Sequence, residues 1–164
     1  MNFLQIDRQF LLALKDLQWQ DICFAVTHKL IHPLGAVDFA VKVIELNAVY
    51  SEAELELASK TEHDSIEDII RTLDKICTTH KLPPETSDRC LFLALFWLYL
   101  NQDKFQDPLA IIESIYADFD YPESIKHLVR YMPSEDGRII DFKREWTCFL
   151  DSSPYRSLFA LKLS

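Results

Sequence analysis

Histidine, cysteine and carboxylate are the side chains from which a reactive or metal-binding centre would be built, and their spacing here supports neither. His28 and His32 lie one helical turn apart, with Cys23 shortly before them. A zinc site on such a helix needs a glutamate directly after the first histidine, and Lys29 stands there. Adding Cys23 completes no zinc-ligand spacing, and Pro33 interrupts the turn; His63, His80 and His127 stand alone. The four cysteines, Cys23, Cys77, Cys90 and Cys148, contain no CxxC and no close pair, and each has apolar neighbours in a helical pattern. All four are therefore expected as buried free thiols in a reducing compartment. A distant cysteine–histidine nucleophile pair has no local signature behind it. Neither a nucleophile elbow nor a phosphate loop occurs. With 26 acids, chance carboxylate pairs are expected and do not argue for glycoside chemistry. The sequence thus points to no catalytic group, no cofactor and no metal.

What the acids do form is a charge pattern. Between Glu52 and Asp74 stand Glu52, Glu54, Glu56, Glu62, Asp64, Glu67, Asp68 and Asp74, against Lys60 and Arg71. Between Asp103 and Glu123 the acids are opposed by Lys104 alone. Asp64, Glu67, Asp68 and Arg71 follow three-or-four spacing, so a helix there turns them to one outward face. The chemistry open to such a face is imitation of phosphate: carboxylates can fill the groove of a basic protein, such as a nuclease domain. Candidate partner-binding residues are Glu52, Glu56, Asp64, Glu67, Asp68, Asp118, Asp120 and Glu123. The plainer account of the same residues is a solvated face with acids at helix starts.

The net charge of −9 excludes the partners that need a basic face. Nucleic acid and anionic membrane surfaces are both polyanionic and would be repelled. A basic protein would be attracted and steered inward. Charge that merely keeps a protein dispersed remains the bland alternative.

The elements that must present these residues are helices. At 164 residues, half of them apolar, with 11 Phe, 6 Tyr and 3 Trp, the chain suits one domain, 1–164, with its own core. The two glycines, Gly35 and Gly137, leave few tight turns for a sheet. Helical spacing predicts segments over Phe3 to Leu14, Trp19 to Leu30, Pro33 to Leu46, Ser51 to Ser59 and Asp64 to Cys77. Ser51 and Glu54 form a capping box, and Asp64 with Glu67 repeats the pattern. Pro84 to Asn101 is apolar all round from Leu91 to Leu100, as a central helix is; its length and lack of β-branched residues favour helix over strand. Further helices are expected from Asp107-Pro108, from Tyr121-Pro122-Glu123, and over Arg138 to Leu150, with a turn at Ser134 to Gly137 and a tail over 153–164. The fold expected is all-α: eight to ten helices packed as antiparallel pairs, with a solenoid-like stack as the variant. Met1 to Arg8 meets polar residues at once, so no secretory leader is expected, and the Cys90 to Leu100 run is too short to span a bilayer. A cytoplasmic location follows.

Two stretches carry a resemblance. Asp118-Phe119-Asp120-Tyr121-Pro122-Glu123, with Val129-Arg130-Tyr131-Met132-Pro133, resembles the signature of the bacterial family named domain of unknown function 2247. Leu17-Gln18-Trp19-Gln20-Asp21-Ile22 resembles that family's opening helix, so the resemblance spans nearly the whole chain. Thr27-His28-Lys29-Leu30-Ile31 departs from it, standing where the family carries glycine and a second tryptophan. The resemblance implies small bacterial cytosolic proteins without established chemistry, encoded beside polymorphic or contact-dependent toxins as candidate immunity proteins. Physically, Asp120 can cap a helix begun by Pro122, while Phe119 and Tyr121 anchor the loop in the core.

The expectation is therefore a non-catalytic domain that binds and neutralises a cognate basic toxin. Two alternatives stand beside it: an adaptor or regulatory module that binds through an apolar groove, and an enzyme of unknown type.

Overall fold

Leu91 to Leu98 are buried without a break, and the other helices are arranged around them. In the computed structural model of the chain, residues 4–134 and 136–157 are described. Their elements are α1 (Arg8–Ala13), α2 (Trp19–Thr27), α3 (Pro33–Leu46), α4 (Glu52–Ala58), α5 (Ile66–Cys77), α6 (Thr86–Leu100), α7 (Pro108–Asp118) and α8 (Phe142–Ser152). Two 3-10 turns, Gln102–Lys104 and Glu123–Leu128, complete the order, and no strand occurs among the described residues. The protein is all-α. Helix α6 meets α2, α7 and α8, while α3 meets α1, α4 and α5. Contacts between helices this far apart in sequence make a shared core rather than a one-dimensional stack.

Helix starts follow their caps. Ser51 accepts from the Glu54 amide at 3.1 Å while the Glu54 carboxylate accepts from the Ser51 amide at 2.8 Å, the box expected at α4. Glu54 has a second task, accepting from Trp19 Nε1 at 2.9 Å. His32 Nδ1 accepts from the Leu34 amide at 3.1 Å and caps α3, with Pro33 in its first turn. Asp107 caps α7 in front of Pro108.

Several expected boundaries move, each for a local reason. The segment expected to turn helical at Phe3 (a residue outside those described) does so only at Arg8, because the Asp7 side chain caps there, accepting from the Gln9 amide at 2.7 Å. Before it, Leu4 and Ile6 are buried and Gln5 exposed, an extended alternation, and the Ile6 amide donates to the Leu30 carbonyl. Helix α5 is capped by Ser65, which accepts from the Asp68 amide, and not by Asp64, whose carboxylate accepts from the Thr61 amide at 2.7 Å. The segment after Pro122 forms a 3-10 turn with no side-chain cap, so Asp120 does not cap it. Helix α8 starts after Asp141, whose carboxylate accepts from the Arg144 amide, leaving Ile139 fully exposed outside it. Gly137 takes φ +70° in the expected turn, whose Glu135 lies outside the described residues. Of the tail, Tyr155 faces the Phe92 ring and the Arg156 guanidinium sits 4.6 Å over Phe96; residues 158–164 lie outside the described part.

Two helix stops share one hydrogen-bond pattern. After α2, the Leu30 amide donates to the Ala25 carbonyl and the Lys29 amide to the Val26 carbonyl, with Lys29 at φ +59°. After α7, the Tyr121 amide donates to Tyr116 and the Asp120 amide to Ala117, with Asp120 at φ +60°. Both are Schellman closures, which glycine ordinarily occupies at the left-handed position. The first ends α2 three residues short of the expected Leu30 and turns that side chain into the core.

The cysteines correct the expectation of four buried thiols. Cys23 and Cys77 face each other between α2 and α5, with Cα atoms 5.8 Å apart, and form a disulfide. Their separation of 54 residues concealed a pairing that only helix packing creates. Cys90 is a buried free thiol, whose burial pushes its pKa up, and Cys148 is free but exposed.

Candidate functional site

The histidines and cysteines that could have held a metal are otherwise engaged. Cys23 is in the disulfide and His32 caps α3. His28 stacks on Phe24 at 4.0 Å between ring centroids, near Phe119. No group of three potential ligands converges among the described residues.

The acidic candidates divide by how far they are already neutralised. On α4 and α5, Glu56 pairs with Lys75 at 3.0 Å. Asp68 is held between Lys60 at 2.6 Å and Arg71 at 3.4 Å. The Lys60 hydrogen bond holds the Asp68 carboxyl below its usual range and raises the Lys60 ammonium in turn. Asp64 is turned into the loop that precedes α5. Asp64 therefore leaves the outward helix face expected of it, and Glu52 and Glu67 remain exposed there with no ion partner among the described residues.

The second group sits where α7 stops. Asp118 and Asp120 are exposed without an ion partner among the described residues, and Glu123 meets Lys126 only at 3.7 Å. Arg130 takes up other acids nearby, forking onto Glu113 at 2.8 and 3.2 Å and reaching Asp107 at 3.1 Å. These hydrogen bonds raise the guanidinium pKa. Free negative charge is thus better preserved at Asp118, Asp120 and Glu123 than at Glu56, Asp64 and Asp68. Sequence spacing could not separate them, because the cations that neutralise Glu56 and Asp68 come partly from outside their own helical turn.

The same stop displays aromatic side chains. Phe119 is partly buried against Phe24 and the core, as expected. Tyr121 is not: it is 59% exposed, its ring edge-on to Tyr116 at 5.3 Å. The reason is backbone handedness, since Tyr121 itself sits at φ +56° and its side chain is carried out of the core.

A cleft of about 600 Å³ lies between α2 and α5, with the disulfide among its lining and the exposed Ile66, Ile70 and Leu82 around it. Ile66 and Ile70 lie outside the core stripe of α5, which is Ile69, Thr72, Leu73 and Ile76.

Residues 9–153 match the model of a family described as an uncharacterized protein conserved in bacteria, domain of unknown function 2247. The chain belongs to this family. No curated protein and no solved structure matches the chain. Both stretches that carry the resemblance lie inside the matched region. Leu17 to Ile22 is an internal brace: Trp19 bonds Glu54, Asp21 bonds Arg89, and Ile22 is fully buried. Asp118 to Glu123 is half brace and half surface, with Phe119 directed inward and Asp118, Asp120, Tyr121 and Glu123 outward. No helix is long and apolar enough to cross a membrane among the described residues.

Proposed function

We propose that the protein is a non-catalytic binding module that neutralises a cognate basic toxin domain, and so acts as an immunity protein. The observation that carries this reading is a net charge of −9 on a helical body, with carboxylates at Asp118, Asp120, Glu52 and Glu67 that have no ion partner among the described residues. Fixed carboxylates of this kind complement a groove built for phosphates. They raise the encounter rate with a cationic partner and penalise an anionic one. The partner is a protein, and neither nucleic acid nor a membrane is bound. A cytoplasmic setting belongs to the same proposal, although the Cys23–Cys77 bond pulls against it, since disulfides persist mainly in oxidising compartments. Trapping thiols with an alkylating agent in intact cells decides that point: two newly labelled cysteines on reduction mean that the bond exists there.

The test of function is co-expression with the product of the adjacent upstream gene. Co-purification and rescue of growth are expected; a neighbour that neither binds nor harms the cell overturns the reading. The apolar cleft between α2 and α5 favours one second reading, an adaptor that takes up a hydrophobic segment. Salt separates the two, because affinity that falls steeply with ionic strength belongs to the carboxylates and affinity that does not belongs to the cleft.

A further inference from the structure

Tyr121 and Tyr131 are each 59% exposed, and neither hydroxyl has a hydrogen-bond partner among the described residues. Both are tied to one stretch of α7: the Tyr121 ring meets Tyr116 at 5.3 Å, and Tyr131 directly follows Arg130, which is bonded to Glu113 one turn before Tyr116; desolvation and the nearby Tyr116, Tyr121 and Glu113 raise the Tyr131 phenol pKa. The Tyr121 ring is held in place, and the backbone that carries Tyr131 is anchored. Tyr121 is fixed by the Schellman closure of α7 and by its edge-on contact with Tyr116. Tyr131 lies in the turn closed by the Met132 amide on the Val129 carbonyl, directly after Arg130, which is pinned to Glu113 and Asp107.

Holding a bulky residue such as Tyr121 at positive φ is unfavourable, and its ring is more than half solvated for that effort. Rigid aromatic side chains are the groups that dominate protein recognition surfaces, because few rotamers are lost on binding. The charge beside these two rings is negative: Asp120 precedes Tyr121, Glu123 follows it two residues on, and Asp118 ends the helix. Of the nearby cations, Arg130 is already occupied by two carboxylates and Lys126 lies 3.7 Å from Glu123. A π face next to carboxylates such as Asp118 and Asp120, which have no ion partner among the described residues, attracts a cation through both the ring quadrupole and the charge. An anion or a neutral apolar segment has no such complement here.

We propose that Tyr121 and Tyr131, with Asp120 and Glu123 beside them, form a recognition site for an arginine or lysine side chain presented by a protein partner. The site deepens the binding role proposed above and rests on it for its biological meaning, but its chemistry can be tested without the partner. The probe is a short peptide of alternating arginine and glycine, compared with the same peptide carrying citrulline, which keeps the shape and loses the charge. The ring resonances of Tyr121 and Tyr131, assigned with Tyr121→Phe and Tyr131→Phe, are expected to shift and saturate with the arginine peptide and to stay still with citrulline. Tyr121→Leu, which keeps an apolar contact for Tyr116, is expected to raise the peptide Kd roughly two- to five-fold, as is Tyr131→Leu. Tyr→Phe variants are expected to bind as the parent does.

Ring resonances that do not move with the arginine peptide overturn the proposal, as does equal response to citrulline. So does a Tyr121→Leu/Tyr131→Leu double variant, folded by circular dichroism, that binds the peptide unchanged. A positive peptide result with no binding of the neighbouring gene product retains this site and rejects only the toxin reading. The converse result, binding of that product with still rings, retains the toxin reading and rejects this site.

Discussion

Asp21 and Arg89 join α2 to α6 through a two-pronged ion pair, at 2.9 and 3.0 Å, across 68 residues of sequence. Asp21 is 1% exposed, and its carboxylate also accepts from the Gln18 amide that opens α2. Arg89 adds a bond to the Asp16 carbonyl. Removing Asp21 breaks this buried ion pair and takes the acceptor from the Gln18 amide. Asp21→Ala is therefore expected to lower stability by about 3–5 kcal/mol, read as a fall in the urea midpoint. Asp21→Ala/Arg89→Met is expected to lose less than the sum of the single changes.

The Cys23–Cys77 bond closes a loop of 54 residues, for which chain entropy assigns roughly 4 kcal/mol. Reductant is expected to lower the unfolding midpoint of the parent and to leave Cys23→Ser/Cys77→Ser unaffected. A parent midpoint indifferent to reductant would mean the bond is not present in solution.

Lys29 holds a left-handed conformation that glycine adopts freely. Lys29→Gly is expected to stabilise the protein by about 1 kcal/mol, with the denaturant slope unchanged. Loss of stability would place the origin of the α2 stop elsewhere, in contacts of the lysine side chain.

Asp68 titrates below its ordinary 3.8, chiefly through its hydrogen bond from Lys60. A carboxylate depressed in the folded state stabilises it above the unfolded pKa, and that contribution is lost as pH falls through the folded value. The Asp68 carboxyl resonance is therefore expected to titrate below 3.8, and Lys60→Met to return it upward. An unchanged midpoint in Lys60→Met would remove Lys60 as the cause.

Much of this architecture is legible in the residues. Caps at Ser51 and Asp107 and the all-round apolar run of α6 are local signals, and each element stands where its signal lies. The stops of α2 and α7 are not legible, because Lys29, Asp120 and Tyr121 give no glycine to mark a left-handed turn. At the candidate surface, spacing placed Glu67 outward but could not show Lys60 and Lys75 approaching Asp68 and Glu56. The cap that spacing predicts at Asp64 falls one residue later, since Ser65 offers the same chemistry. The aromatic ring of Tyr121 predicts a core anchor, and only backbone handedness turns it outward.

The bridge from Cys23 to Cys77 also divides the molecule mechanically. Everything between those residues, including α3, α4 and α5, lies in a covalent ring that keeps the Cys77 end of α5 tied to α2 during partial opening. The helix α7, the 3-10 turn after it and α8 lie outside that ring. Amide exchange from sub-global opening should accordingly be faster there, and reducing the bond should narrow the difference between the two parts.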